Sequence, residues 1–180
     1  KSIEKAMEIN ENDFECHRLF GEVNLSQHDF RAAEMHARKC YELVPNDPRV
    51  LSIYGDVMVR VGSVDDGLEA LERALELDPV AAGKTNSDSR TAAVLFGYFM
   101  ARDSSKCLEL IEKLQDLDTR SWLITAKICD DEEIEYKALG WFQKGLAKFR
   151  DIEWQNEVNR FHLNNAGAQK ALEEFGSSQF

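Results

Sequence analysis

The sequence predicts an all-α chain of stacked helix pairs, on three observations. Segments 34 residues apart resemble one another. The strongest apolar patterns carry helical spacing and stop at proline or polar runs. Long β-branched stretches with turn signals every 8–12 residues, the mark of a sandwich or barrel, are missing. Length and composition agree. One hundred and eighty residues, 43% hydrophobic and 31% charged, belong to a globular domain rather than a disordered tail.

The self-similarity is read by laying Phe14–Asp47 over Pro48–Ala81. Gly21 falls on Gly55, Phe20 on Tyr54, Ala33 on Gly67 and Pro45 on Pro79. Tyr41–Pro45 and Leu75–Pro79 have the same form, a helix end followed by a residue that cannot continue it. Asp66–Leu75 matches Lys106–Gln115 at an offset of 40, which places a six-residue insertion in the polar run Ala82–Ser89. That loop is read as a tolerated insertion, with a working role as the weaker alternative. A fourth unit opens near Arg120. Trp122, Ala126, Ala138, Phe142 and Gly145 take its large and small positions, and Cys107 to Ala138 spans 31 residues. Thr119 and Arg150 stand where the earlier units suggest proline.

At the start, Lys5–Asn10 resembles Arg73–Asp78, and the first residue is Lys1 rather than Met. Residues 1–11 are therefore expected to be the second helix of a truncated upstream repeat, and the chain a fragment of a longer protein. At the other end, Asp151–Asn164 is expected to form a partly apolar helix. Asn165-Ala166-Gly167 should break it, and Ala168–Phe175 should form a short last helix ended by Gly176. Together, residues 151–176 read as a cap over the last apolar face, so the C-terminus is expected to be natural.

The second window resembles the tetratricopeptide repeat family. Leu51, Tyr54, Gly55, Met58, Gly67, Leu71, Ala74 and Pro79 fill all eight signature positions in character. In the first window, His17, Asn24 and Ala37 depart from positions 4, 11 and 24, so its packing is expected to be looser. The resemblance implies a right-handed α-α superhelical solenoid. Its units are 14–47, 48–81, a divergent 82–118 and a divergent 119–150, followed by capping helices. Small residues at positions 8 and 20 are expected to let helix A approach its own helix B and helix B approach the next helix A. Neither helix of a pair can bury its apolar stripe alone, so neighbours must stack. Phe142→Ala should then cost about 3–5 kcal/mol.

Charge and cysteine usage narrow the function. Lys plus Arg number 22 against 33 Asp plus Glu, a net charge of −11. Such a chain lacks the positive surface that nucleic acid or an anionic membrane requires. The longest apolar stretch, Ala92–Ala101, is half of the ~20 residues a membrane helix needs, and no signal peptide is expected. Cys16, Cys40, Cys107 and Cys129 contain no C-x-x-C, so free buried thiols in a cytoplasmic protein are expected. The last three of these occupy repeat packing slots, which argues against nucleophiles.

His17, His28, His36 and His162 lack zinc-type spacing with any cysteine. Gly83-Lys84-Thr85 ends like a phosphate loop, but Asp78 stands where the upstream glycine belongs. Asp65-Asp66 and Asp130-Asp131-Glu132-Glu133 are read as acidic openings of B helices, favoured by the helix dipole. No catalytic residue, metal site or cofactor is expected.

The remaining candidate is the concave groove. The family's ligand contacts come from helix A, and carrying them over nominates Arg18, Glu22, Arg49, Ser52, Asp56, Arg60, Phe96, Phe99 and Lys127. Neighbouring slots of the same rows hold Leu25, Ser26, Ser89 and Arg120. Family members that clamp a C-terminal carboxylate place Lys and Asn where Arg18 and Glu22 stand, so that clamp is not matched. The competing reading pairs the arginines with Glu22 and Asp56 and buries the aromatics. The implied function is non-catalytic binding of a protein or peptide segment, as a scaffold or adaptor. Two alternatives remain. One is the regulatory region of a multidomain signalling enzyme, such as a nucleotide cyclase, with catalysis upstream. The other is a self-assembling scaffold, a homo-oligomer joined through its tail or through the exposed side of Ser2–Asn10.

Overall fold

The computed structural model describes residues 12–180, and every described element is a helix. The proposed half-repeat at 1–11, and self-association through Ser2–Asn10, lie outside the described residues. The elements are α1 (Phe14–Ser26), α2 (Phe30–Leu43), α3 (Pro48–Val61), α4 (Val64–Leu77), α5 (Asp88–Met100), α6 (Ser104–Ile111), α7 (Thr119–Asp131), α8 (Gly140–Lys148), α9 (Trp154–Asn159) and α10 (Ala166–Ser178). Each of α1 to α7 packs on the next, and α7 on α8. The odd-numbered helices also touch in sequence: α1 on α3, α3 on α5, α5 on α7.

Local chemistry starts and stops these helices. Asp13, Asp47 and Asp118 cap α1, α3 and α7, each accepting from backbone N–H groups of the first turn. Asp29 and Asp103 do the same for α2 and α6. The ends of α1, α3, α5 and α7 share one device. A residue at positive φ follows each of them: His28, Gly62, Arg102 and Glu133. The next amide then bonds back five residues, Asp29 N to Asn24 O, Ser63 N to Met58 O, Asp103 N to Tyr98 O and Ile134 N to Cys129 O, at 2.8–3.0 Å. This is the Schellman closure. Pro45 and Pro79 each fall two residues beyond a helix end, after Leu43 and Leu77.

Close helix approaches occur where small residues meet. A Cβ on Gly55 would lie 2.7 Å from the Gly67 carbonyl oxygen and 2.7 Å from Leu71. A Cβ on Gly67 would meet Val59 and the Gly55 carbonyl, both on α3. The small residue at position 20 therefore faces helix A of its own pair, not the next one. The same relation recurs between Cys107 Sγ and the Leu95 carbonyl, at 3.8 Å. Packing in the first pair is partly polar. His17 bonds His36 at 2.9 Å, and Asn24 Nδ2 donates to the Phe20 carbonyl.

Three expectations about the C-terminal half are corrected. Ala138 is exposed in the turn before α8; Tyr136 fills the core there, edge-on to Phe142 at 4.8 Å. Asp130 and Asp131 end α7 rather than open a helix, because Asp118 starts that helix and it runs the usual 13 residues. The tail helix is confined to Trp154–Asn159, whereas α10 starts early, on the Asn165 cap, and passes through Gly176 to Ser178. Gly176 does not stop α10, because its missing side chain is the space Trp154 occupies. Trp122 stacks on both Phe142 and Trp154, and Phe180 lies against both tryptophans. The apolar core runs without a break from Val59 to Phe142, Trp122 and Trp154.

No helix among the described residues is long and apolar enough to cross a membrane.

Candidate functional site

The odd-numbered helices lie side by side, so one face of each looks onto a common concavity. It holds about 350 Å³ and is lined from α1, α3, α5, α7 and the segment before α10. Four of the nine nominated residues meet there: Glu22, Arg49, Ser52 and Asp56. Leu25, Ser26, Ser89 and Arg120, from the same sequence rows, complete much of the wall.

The other five are placed elsewhere. Arg18 is folded onto Glu15 and Glu22 of its own helix. Lys127 pairs with Asp131 and lies 5.6 Å from the Phe175 ring centroid, against α10. Phe96 is fully buried and Phe99 half-buried against it, so neither forms an open apolar pocket. Met100 is likewise only partly buried against that core. The unbroken apolar sequence of α5 explains this: most of its surface is covered, by α3, α4, α6 and α7.

Arg60 is 4% exposed. It bonds Asp56, and it donates to the carbonyls of Phe161 and His162 at 3.2 Å each. Its guanidinium sits 4.4 Å from the Phe96 ring centroid. Burial works against its charge, and Asp56 offsets part of that cost. Arg60 is thus the anchor of the tail segment rather than an open contact. Nothing in its sequence neighbourhood announces this, because its partners lie about a hundred residues away.

Cations lining the cavity differ in how far they are engaged. Arg90 is buried and bonds the carbonyls of Asp78 and Pro48, the Ser52 hydroxyl and the Asp78 carboxylate. Arg49 bonds Asp47 at 2.7 Å and reaches Glu15 at 3.5 Å. Arg120 is different. Its guanidinium lies 5.1 Å from the Phe96 centroid, on a ring it shares with Arg60, and it has no hydrogen-bond acceptor among the described residues. Arg90, Ile53, Ala93 and His162 were missed by carrying over family positions. The first three lie on the same helices one row away; His162 comes from the tail.

The cysteines are buried free thiols. Desolvation pushes Cys40 and Cys129 up to about 11 and Cys107 up to about 12, and raises Cys16 as well. At neutral pH such groups are thiols, not nucleophilic thiolates. No cluster of three or more His, Cys, Asp or Glu able to hold a metal occurs among the described residues.

No family model matches the chain. A 79-residue segment, 44% of the chain, is 29% identical to U-box domain-containing protein 70 of Oryza sativa subsp. japonica. The match spans about 10% of that protein.

Proposed function

We propose that this chain is a tetratricopeptide-repeat solenoid. It binds a peptide or protein segment, without catalysis of its own, on the face formed by α1, α3, α5 and α7, in a scaffold or adaptor role. Support for the repeat comes from the positive-φ closures at His28, Gly62, Arg102 and Glu133, which recur at intervals of 34, 40 and 31 residues. Those are the intervals of the sequence register.

Support for binding rests on one observation: Arg120, half-buried at the cavity wall, has no acceptor among the described residues. A guanidinium held over an aromatic face is preorganised for a carboxylate. The wall around it offers the Ser89 and Ser26 hydroxyls and the Leu25 and Ile53 side chains. Together these suit a short segment carrying one acidic group and one apolar side chain.

The test is selection of binders from a random peptide library on the immobilised chain. Selected peptides should be enriched in Asp, Glu or a free C-terminal carboxylate. Arg120→Glu should weaken them at least about tenfold, the loss of one charge-assisted hydrogen bond. Arg18→Glu, placed outside the cavity, should leave them nearly unchanged. Equal affinity for the wild type and Arg120→Glu would refute the assignment.

A further inference from the structure

All four histidines pair with one another. His17 bonds His36 inside the first hairpin, and His28 Nε2 meets His162 Nδ1 at 3.0 Å. The second pair joins residues 134 apart in sequence, bridging the α1–α2 turn to the segment between α9 and α10. Both of its members sit at positive φ, 61° for His28 and 51° for His162. Non-glycine residues adopt that conformation at a cost, so the surrounding structure holds it in place. The rings meet edge to face, 5.0 Å between centroids. His162 also lines the cavity, so this bridge forms part of its rim.

We infer that the His28–His162 bridge is an acid-sensitive latch, closed while the two rings share a single proton on the bridging nitrogens and opened when both are charged. The chemistry is simple. One nitrogen must donate and the other accept. With both protonated, two N–H groups and two positive charges face each other at hydrogen-bond distance.

The surrounding charges do not relieve that repulsion. Arg60 of α3 and Arg120 of α7 face His162 with positive charge, and Asp56 of α3 is engaged by Arg60. Glu22 of α1, which pairs with Arg18, lines the same cavity, as do Arg49 of α3 and Arg90 of α5. Asp29 and Arg160 flank the pair along the chain. Burial and the neighbouring His28 hold the His162 imidazole below its ordinary proton affinity. A base held down in the closed state stabilises closure above about pH 6.5 and loses that contribution as pH falls through its lowered value.

Opening stays local. Phe161 and Leu163 are buried on either side of His162, and the Arg60 bonds to the two carbonyls do not titrate. Acid therefore frees the α1–α2 turn from the tail and widens one edge of the cavity without dissolving the cap. Any effect on ligand entry rests on the groove reading above; the latch itself does not.

Hydrogen exchange followed by mass spectrometry on the full 180-residue chain tests it. Rates are compared at about pH 7.5 and about pH 5.5 after correction for intrinsic exchange. Peptides covering residues 26–31 and 159–165 should exchange several-fold faster at the lower pH, and those from α3 should not. His162→Asn tolerates positive φ and does not titrate, so in it the contrast between the two pH values should vanish. His28→Asn should behave alike and serves if the first variant folds poorly. Unchanged protection of the wild-type peptides in acid, or a contrast that survives in both variants, would overturn the latch.

Discussion

Glycine at position 8 of the first two pairs meets very different surroundings, and the difference has a sign. At Gly55 an added Cβ would run into the Gly67 carbonyl and Leu71, both at 2.7 Å, on a neighbouring helix that cannot retreat alone. Gly55→Ala should destabilise by about 1–3 kcal/mol. At Gly21 the nearest atom is the Ile53 Cγ1, at 3.2 Å, a side-chain atom that can shift by a few tenths of an ångström. Gly21→Ala should fall between neutral and a gain of about 1 kcal/mol from helix propensity. Urea melts of the two variants separate these outcomes. Equal losses would mean that the two helix crossings are equally close. The buried thiols belong to the same scale: at Cys107 a side chain separates the two helices where Gly67 lets them touch one pair earlier.

At the scale of the element, the A-helix ends reuse one backbone closure with four different residues. Only Gly62 adopts positive φ without strain; Arg102 takes the same conformation with a side chain. Arg102 is exposed, and its ion pair with Asp131, at 3.4 Å, contributes little in solvent. Arg102→Gly should therefore stabilise the protein by about 0.5–1 kcal/mol. A shift of the denaturation midpoint at constant slope would record it, and a loss would place the stabilising role in the arginine side chain.

Considered whole, the molecule has its last described helices joined to the rest by aromatic packing. Phe142 stacks on Trp122, the rings of Trp122, Trp154 and Phe180 form a triangle with centroids 5.7–6.1 Å apart, and α10 lies over α7 and α9. An apolar helix face must be covered or left exposed to water. Deleting residues 165–180 should uncover Trp154, now 4% exposed, red-shift tryptophan emission and raise binding of an apolar dye. An unchanged spectrum would mean that α9 and the α8–α9 segment suffice as the cap.

The sequence by itself determined the all-helical class, the helix pairs up to residue 111, and four of the residues that meet in the cavity. It could do so because spacing, caps and helix stops are local: Gly55, Gly67 and Pro79 announce themselves within one window. It failed from Asp130 to Leu139 and in the tail, where Tyr136 and Trp154 take their places by filling space beside Phe142 and Gly176. Only the tertiary structure decided that Arg60 is an anchor, that Arg120 is left without an acceptor, and that His28 faces His162. Those roles are set by groups as far as 134 residues away, and no periodicity along a chain encodes which distant carbonyl or ring will arrive.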